Sequence, residues 1–250
     1  MDVISPEVKM QLTSNGVLSA AVYLGNFLLV TGRSSIGEPT GIAPDICRAI
    51  AERLGVKLVL VPCETQAEVV DCAASAKCGI ALVGSDPARA ERVTFTPAYV
   101  ELEATYLVPA NSNITEVSQV DEPGIRIASF YKSAYDLWLQ RNLKHATLVH
   151  ADSIGASNEI FVNQKLHALA GLKTGLIAAA EKIPGSRILP GQFTGIQQAI
   201  STEKSHLESI EFLSACVNDF ISSGLVTELI QKYQVHGLAA APLHLNPSDI

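Results

Sequence analysis

No apolar run in the chain reaches the roughly 18 residues that a membrane-spanning helix needs. Its opening, MDVISPEVKMQLTSNG, lacks the basic start and apolar stretch of a secretory signal. The sequence as it stands therefore reads as cytoplasmic, or as periplasmic if a signal peptide has been removed from it. A basic surplus is missing too: 18 Lys and Arg stand against 25 Asp and Glu, a net charge of −7. That balance excludes the cation-rich stripe by which a protein displaces counterions from nucleic acid. The motifs GxSxG, HExxH, GxxxxGK[ST] and GxGxxG are all absent, so none of the corresponding hydrolase, metalloprotease or nucleotide sites is expected. The six histidines, at 145, 150, 167, 206, 236 and 244, show no metal-ligand spacing, and neither metal nor cofactor is expected. His145 and His150 flank a strand and read as surface or satisfied core residues. Cysteine is scarce and odd in number: Cys47, Cys63, Cys72, Cys78 and Cys216 form no CxxC, and read as buried thiols in a reducing compartment. Cys72 and Cys78 come near each other if the helix between them ends, but their spacing requires no bond.

What is present is an ordinary folded composition, 48% apolar and 17% charged in 250 residues, enough for one large domain or two lobes. Turn residues divide the chain into alternating strands and helices. Residues 18–24 read as a strand, 44–54 as a helix with Ile46, Ile50 and Leu54 four apart, and Gly55 as its C-terminal cap. The segment 57–61 is a β-branched strand, 64–76 a helix, and 80–83 (IALV) a short buried strand. After Asn111-Ser112-Asn113 a second series follows: strand 125–128, a helix behind Ser133, strand 147–149, helix 153–163, strand 167–170, helix 176–182 and strand 187–189. Residues 196–200 form a return crossing, 206–233 a helical pair broken at 222–224, and 238–250 a frayed tail. Two β-α series predict two α/β lobes with mostly parallel sheets and ligand-binding loops at strand carboxyl ends.

The segment Ser85-Asp86-Pro87-Ala88-Arg89-Ala90-Glu91-Arg92-Val93-Thr94-Phe95-Thr96-Pro97-Ala98-Tyr99 resembles the extracellular solute-binding proteins of family 3, the amino-acid receptors of ABC importers. Their pattern there is T-x-x-R, an apolar residue, then F-[ST]-x-P-Y. Arg89, Val93, Phe95, Thr96 and Tyr99 fall in register, while Asp86 replaces the Thr and Ala98 the Pro. Residues 41–55 resemble the family's first helix, with its G-x-x-x-D start; 125–135 resemble the opening of the second lobe, and 220–233 the closing helical hairpin with its Lys-aromatic end. The resemblance implies a two-lobed type II periplasmic-binding fold with a central cleft and two hinge crossings, near 106–109 and 197–200. The first lobe would comprise 1–108 and 199–237, the second 109–198.

By the same resemblance the protein does no chemistry and closes over a small carboxylate or amino acid, delivering it to an ABC permease if it is exported. Arg89 would fork onto the carboxylate, and a guanidinium suits that task because it is planar and always charged. Ser133 and the amides of the helix behind it would meet the carboxylate from the second lobe, although Lys132 stands where the family has Gly. Gly84 and Ser85 would offer a carbonyl and a hydroxyl, and Tyr23, Asn26 and Phe27 occupy the region of a stacking aromatic. The family's D-A-x-x-x-D, whose second Asp pairs with the ligand ammonium, becomes His167-Ala168-Leu169-Ala170-Gly171-Leu172, followed by Lys173. Either Asp86, Glu103 or another acid substitutes, or the ligand has no α-ammonium. Lys173 could then meet a second carboxylate. Two alternatives remain: a dehydratase-like enzyme of the cyclohexadienyl or arogenate type, with Glu103 and Lys173 or His167 as its acid pair, and a cytoplasmic ligand-sensing module.

Overall fold

The computed structural model describes residues 4–235 and 238–243. The chain divides into two compact units, one of Met1–Glu101 and Gln197–Ile250, the other of Leu102–Ile196. These divisions stand beside the 108/109 and 198/199 boundaries read from sequence. The first falls inside one uninterrupted strand, Val93–Val108, and no turn residue or change of composition marks it.

In unit 1 the Val17–Tyr23 strand lies between two parallel neighbours, Lys57–Cys63 and Ile80–Gly84. Every residue of Ile80–Gly84 is buried, as its continuous apolar run requires. Residues 198–201 of the Thr194–Glu203 strand then pair antiparallel with 81–84. Pro62 is accommodated in Lys57–Cys63, a strand whose recorded pairing is with Val17–Tyr23 alone, so the missing N–H breaks no central ladder. The Gln66–Ala74 helix closes one side of this sheet, packing Val69, Val70 and Ala73 against Ala21, Ala81 and Val83.

The Ile42–Leu54 helix begins two residues before the Pro44 read as its opening. Gly41 makes that start possible: its φ is +143°, and a Cβ there would lie 2.4 Å from the Leu29 carbonyl oxygen. Asp45 in its first turn accepts from Lys232 Nζ and Tyr233 Oη, each at 2.7 Å, and from Arg48. Burial alone would raise the Asp45 carboxyl, but the hydrogen bonds from Lys232, Tyr233 and Arg48 outweigh it and hold the group below the usual carboxylate range. The acid at the first helix and the Lys-aromatic pair at the last therefore form one joint.

Two expectations are corrected here. Cys72 and Cys78 are bonded, with Cα atoms 5.3 Å apart, so the five cysteines are not all thiols. Ala76 adopts φ +52° and turns the chain back after the helix ends, bringing Cys78 beside Cys72. Cys47, Cys63 and Cys216 are buried free thiols. The segment read as a frayed tail contains a strand, Leu238–Ala240, which pairs with Val93–Val108; Ala241 N donates to Tyr99 O at 3.1 Å. Its three residues are too few to show a period. Residues 244–250 of that segment, with His244, lie outside the described residues, as does His236.

Unit 2 builds its strands on the other part of Val93–Val108, within the same hydrogen-bonded sheet. The Leu102–Val108 part of the long strand pairs antiparallel with Ala168–Leu172, which is followed in parallel by Arg126–Phe130 and Thr147–Ala151. Helices Ala134–Asn142, Ile154–Asn163 and Lys173–Lys182 follow the three parallel strands. The last begins three residues before position 176, directly at the strand end. Leu107, Ala128, Phe161, Leu169 and Leu176 meet in its core.

Candidate functional site

Ser85 follows the Ile80–Gly84 strand, and Asp86 caps the short Pro87–Ala90 helix by accepting from Ala88 N at 2.8 Å. This turn carries Arg89 back under the strand end, where it is only 8% exposed. Its guanidinium donates to the Gly84 carbonyl at 2.6 Å and to Oε1 of Gln66, the first residue of the Gln66–Ala74 helix. Burial lowers the Arg89 pKa, against the favourable fields of Asp86 and Tyr23. Burial likewise raises the Tyr23 hydroxyl, with Glu64 adding to it and Arg89 opposing. The segment's other family-like residues serve the scaffold: Val93 and Tyr99 are buried, and Thr96 Oγ1 accepts from Ile200 N at 3.1 Å.

Of the other residues expected from unit 1, Gly84 accepts from Arg89 directly and Tyr23 lies within its electrostatic reach. Ser85 N donates to Gln197 O at 2.8 Å, and Gly84 stands opposite Gln198 in the ladder. Asn26 Nδ2 approaches Gln198 Oε1 at 3.4 Å, while Asn26 N bonds to Tyr23 O at 3.2 Å. The Tyr23 ring lies over Gly25, and Phe27 is 49% exposed beside it in sequence. Gln198 thus joins Asn26 to Gly84, and Gly84 and Gln66 both accept from Arg89; sequence reasoning missed the two glutamines. Gln66 follows the Thr65 cap in a Thr-x-x-Glu box, so its helix-start position was legible, whereas its partner was not. Gln198 shows no signal, because its role comes from strand register.

In unit 2, Ser133 caps the Ala134–Asn142 helix, its hydroxyl accepting from Asp136 N at 3.2 Å. Lys132 holds φ +59°, the left-handed conformation that Gly adopts without strain, so the turn keeps its geometry with a bulkier residue. Asp136, wholly buried, accepts from Lys132 N at 3.0 Å and from Gln140 Nε2 at 2.6 Å. His150 Nε2 stands 3.1 Å from Asp136 Oδ1, at ion-pair distance but without hydrogen-bond alignment, and its ring lies 4.9 Å from that of Tyr131. His150, read as a surface or satisfied residue, thus adjoins a carboxylate on the same helix start as Ser133. The Ser133-x-x-Asp136 spacing was a legible signal for that turn; the approach of His150 is a product of sheet register, which sets it opposite Ser129.

Glu103 and Lys173 form an ion pair at the carboxyl end of Ala168–Leu172, with side chains 47% and 41% exposed. His167 is not part of it. It precedes the opposite end of that strand, where its Nδ1 accepts from Arg126 N at 3.0 Å, and the alternative acid pair of Glu103 with His167 is not assembled. A depression of about 620 Å³ in unit 2, lined by residues including Pro109, Ile125, Lys165 and His167, also lies at that opposite end, away from Ser133 and Lys173. Among the described residues no group of three or more His, Cys, Asp or Glu side chains is placed to hold a metal, and no single helix is long and apolar enough to cross a membrane.

The family model described as bacterial extracellular solute-binding proteins, family 3, matches residues 30–236. No curated protein matches the chain. Among solved structures, a putative ABC-transporter binding component from Wolinella succinogenes DSM 1740, complexed with lysine, is 18% identical, with TM-score 0.72 over 88% of this chain and 96% of its own. The cysteine-binding protein from Campylobacter jejuni is 19% identical, with TM-score 0.71 over 98% of both chains. An ancestral amino acid-binding protein, described as a precursor of cyclohexadienyl dehydratase, is 18% identical, with TM-score 0.68 over 87% of this chain and 95% of its own. At such identities the likeness is one of fold, and the fold is that of the type II periplasmic-binding proteins.

Proposed function

Because the chain belongs to the bacterial extracellular solute-binding proteins, family 3, we propose that its solute is a small carboxylate, an amino acid or a close relative, with Arg89 as the carboxylate's cationic partner. The observation that carries this reading is the Arg89 guanidinium, buried at a strand's carboxyl end and oriented by Gly84 and Gln66 before any ligand arrives. Tyr23, Asn26, Gly84 and Ser85 are proposed to complete this half of the site. Ser133 is proposed as a second contact: its hydroxyl accepts from Asp136 N and keeps its own proton to donate. Asp136 gives that helix start a negative charge, so the main electrostatic attraction for a carboxylate falls to Arg89. Glu103 and Lys173 offer both signs of charge at one strand end and are proposed to meet the ligand's other polar group. Amino acids head the list of solutes because two relatives in fold are described with lysine or named for cysteine. The protein would work outside the cytoplasm, where the Cys72–Cys78 bond persists, and would deliver its solute to an ABC permease.

The test is a thermal-shift screen of the L-amino acids beside the 2-oxo acids that lack their α-ammonium, run on the wild type and on Arg89→Ala. A solute at 100 times its Kd stabilises the fold by about 2.7 kcal/mol, a shift of several degrees. Wild-type shifts that vanish in Arg89→Ala support the reading, and equal shifts in both proteins overturn it. A dehydratase-like reading draws on the Glu103–Lys173 pair, which could supply an acid. It predicts turnover that Glu103→Gln abolishes, whereas a receptor shows no turnover and in Glu103→Gln keeps the part of its affinity that depends on Arg89.

A further inference from the structure

We propose that Gln66 is a positioning residue for the carboxylate site, and that the Gln66–Ala74 helix is the device that holds Arg89 ready; the binding half of this inference rests on the function proposed above. A guanidinium at the end of three methylenes has several rotatable bonds, and each one frozen only on binding weakens the complex. Here Arg89 donates from Nη1 to the Gly84 carbonyl, a product of its own turn, and from Nη2 to Oε1 of Gln66, which comes from a different element. The helix supplying Gln66 is itself held at both ends. At its start, Thr65 Oγ1 accepts from Glu68 N at 3.1 Å, while Glu68 Oε2 accepts from the amides of Glu64 at 2.8 Å and Thr65 at 3.4 Å. Along its length, Asp71 pairs with Arg92 at 2.6 Å, three residues beyond Arg89. At its end, Cys72 is bonded to Cys78, just before the strand that leads into Gly84. The turn carrying Arg89 is therefore tied to this helix through Gln66, and the helix is bonded to the segment just before the next strand; the exposed Asp71–Arg92 pair adds little.

The identity of the acceptor matters. An amide oxygen orients the guanidinium without cancelling its charge. A carboxylate at position 66 would orient it equally well and would compete with an incoming carboxylate. A positioning role and a merely structural one thus predict opposite behaviour for two near-isosteric variants. Gln66→Met keeps the side chain's bulk and removes the acceptor; Gln66→Glu keeps the acceptor and charges it.

Arginine side-chain NMR gives a readout that needs no solute, with the Arg89 signals assigned by their loss in Arg89→Lys. Gln66→Met should speed the hydrogen exchange and rotation of the Arg89 guanidinium, and Gln66→Glu should slow them. Binding is then measured with whichever L-amino acid or 2-oxo acid most stabilises the wild type. Gln66→Met should weaken it about tenfold. Gln66→Glu should weaken it further, roughly 100-fold, with a melting temperature at or above wild type, because the new ion pair must be displaced. Guanidinium signals unchanged in Gln66→Met overturn the proposal whatever the binding data show. Wild-type affinity in Gln66→Glu overturns it as well. If the signals change as stated but no acid of the panel binds the wild type, the positioning role stands and the carboxylate-receptor reading fails.

Discussion

Arg89 and Lys173 are both cations placed just beyond the carboxyl end of a strand, one in each unit, and they are held in opposite ways. Arg89 is nearly buried, with its guanidinium oriented by a carbonyl and an amide oxygen and favoured by the field of Asp86. Lys173 is half exposed and meets a carboxylate, Glu103, that is equally exposed. A group with fixed geometry and reduced hydration binds a carboxylate without first shedding water or freezing rotors. A solvated pair is worth little by itself and rearranges freely. Fixed recognition therefore belongs to the first and adjustable contact to the second. The Asp45 joint stands between them in burial: its side chain is 13% exposed and its partners come from two helices.

The largest effect should come from Arg89→Ala, which should weaken carboxylate binding at least about 100-fold by calorimetry, the usual scale for losing one partner of a buried charged contact. An affinity within a few fold of wild type would show that burial and orientation at Arg89 serve the fold instead. Replacing Cys72 and Cys78 together by Ser should cost about 2 kcal/mol in urea unfolding, the chain-entropy value for so short a loop, and should also loosen the Arg89 signals through the Gln66–Ala74 helix. Loss of stability with unchanged guanidinium exchange would separate that helix from the site.

Asp45→Asn should destabilise by about 1.5 kcal/mol near neutrality, since charged acceptors contribute more than neutral ones. The carboxyl of Asp45 is held below its ordinary value, so its contribution is complete above the unfolded-state pKa near 3.9 and fades as pH falls through the lower folded value. Wild type and Asp45→Asn should accordingly converge in urea melts taken at progressively more acid pH. A gap that persists at the acid end would mean that shape, not charge, holds the joint. The smallest effect should be that of Glu103 and Lys173: a double-mutant cycle with Gln and Met should give at most about 1 kcal/mol of coupling, shrinking further in high salt. A larger, salt-insensitive coupling would place this pair in the same class as Arg89.

Much of the scaffold was legible because its elements obey local rules. The Ile46, Ile50, Leu54 spacing ended at Gly55, which takes φ +66° as a helix terminator should. Ser133 and Ser153 both cap the helices they precede. The run at 80–83 became a wholly buried strand, extended by Gly84. Three features were not legible, each for a physical reason. Val93–Val108 passes from one unit to the other with no break in its residues, so composition could not mark where one ends. Leu238–Ala240 forms a strand because Val93–Val108 offers it a partner, and nothing in Leu-Ala-Ala demands that. Cys72 and Cys78 meet through a left-handed Ala76, a conformation for which Ala has no preference.

The candidate site divides along the same line. Residue chemistry and the family-like pattern were enough to nominate Arg89, Ser133 and the loops that bear them, because a guanidinium and a helix cap carry their properties wherever they are placed. Which groups hold them was decided by tertiary structure alone. Gln66 reaches Arg89 from 23 positions away, Gln198 reaches Asn26 across 172, and His150 approaches Asp136 only through the register of a parallel sheet. Local propensity and hydrophobic pattern act over a few residues and can be read along the chain. The partner that orients a charge is selected by packing between distant elements, and it exists only once they have folded together.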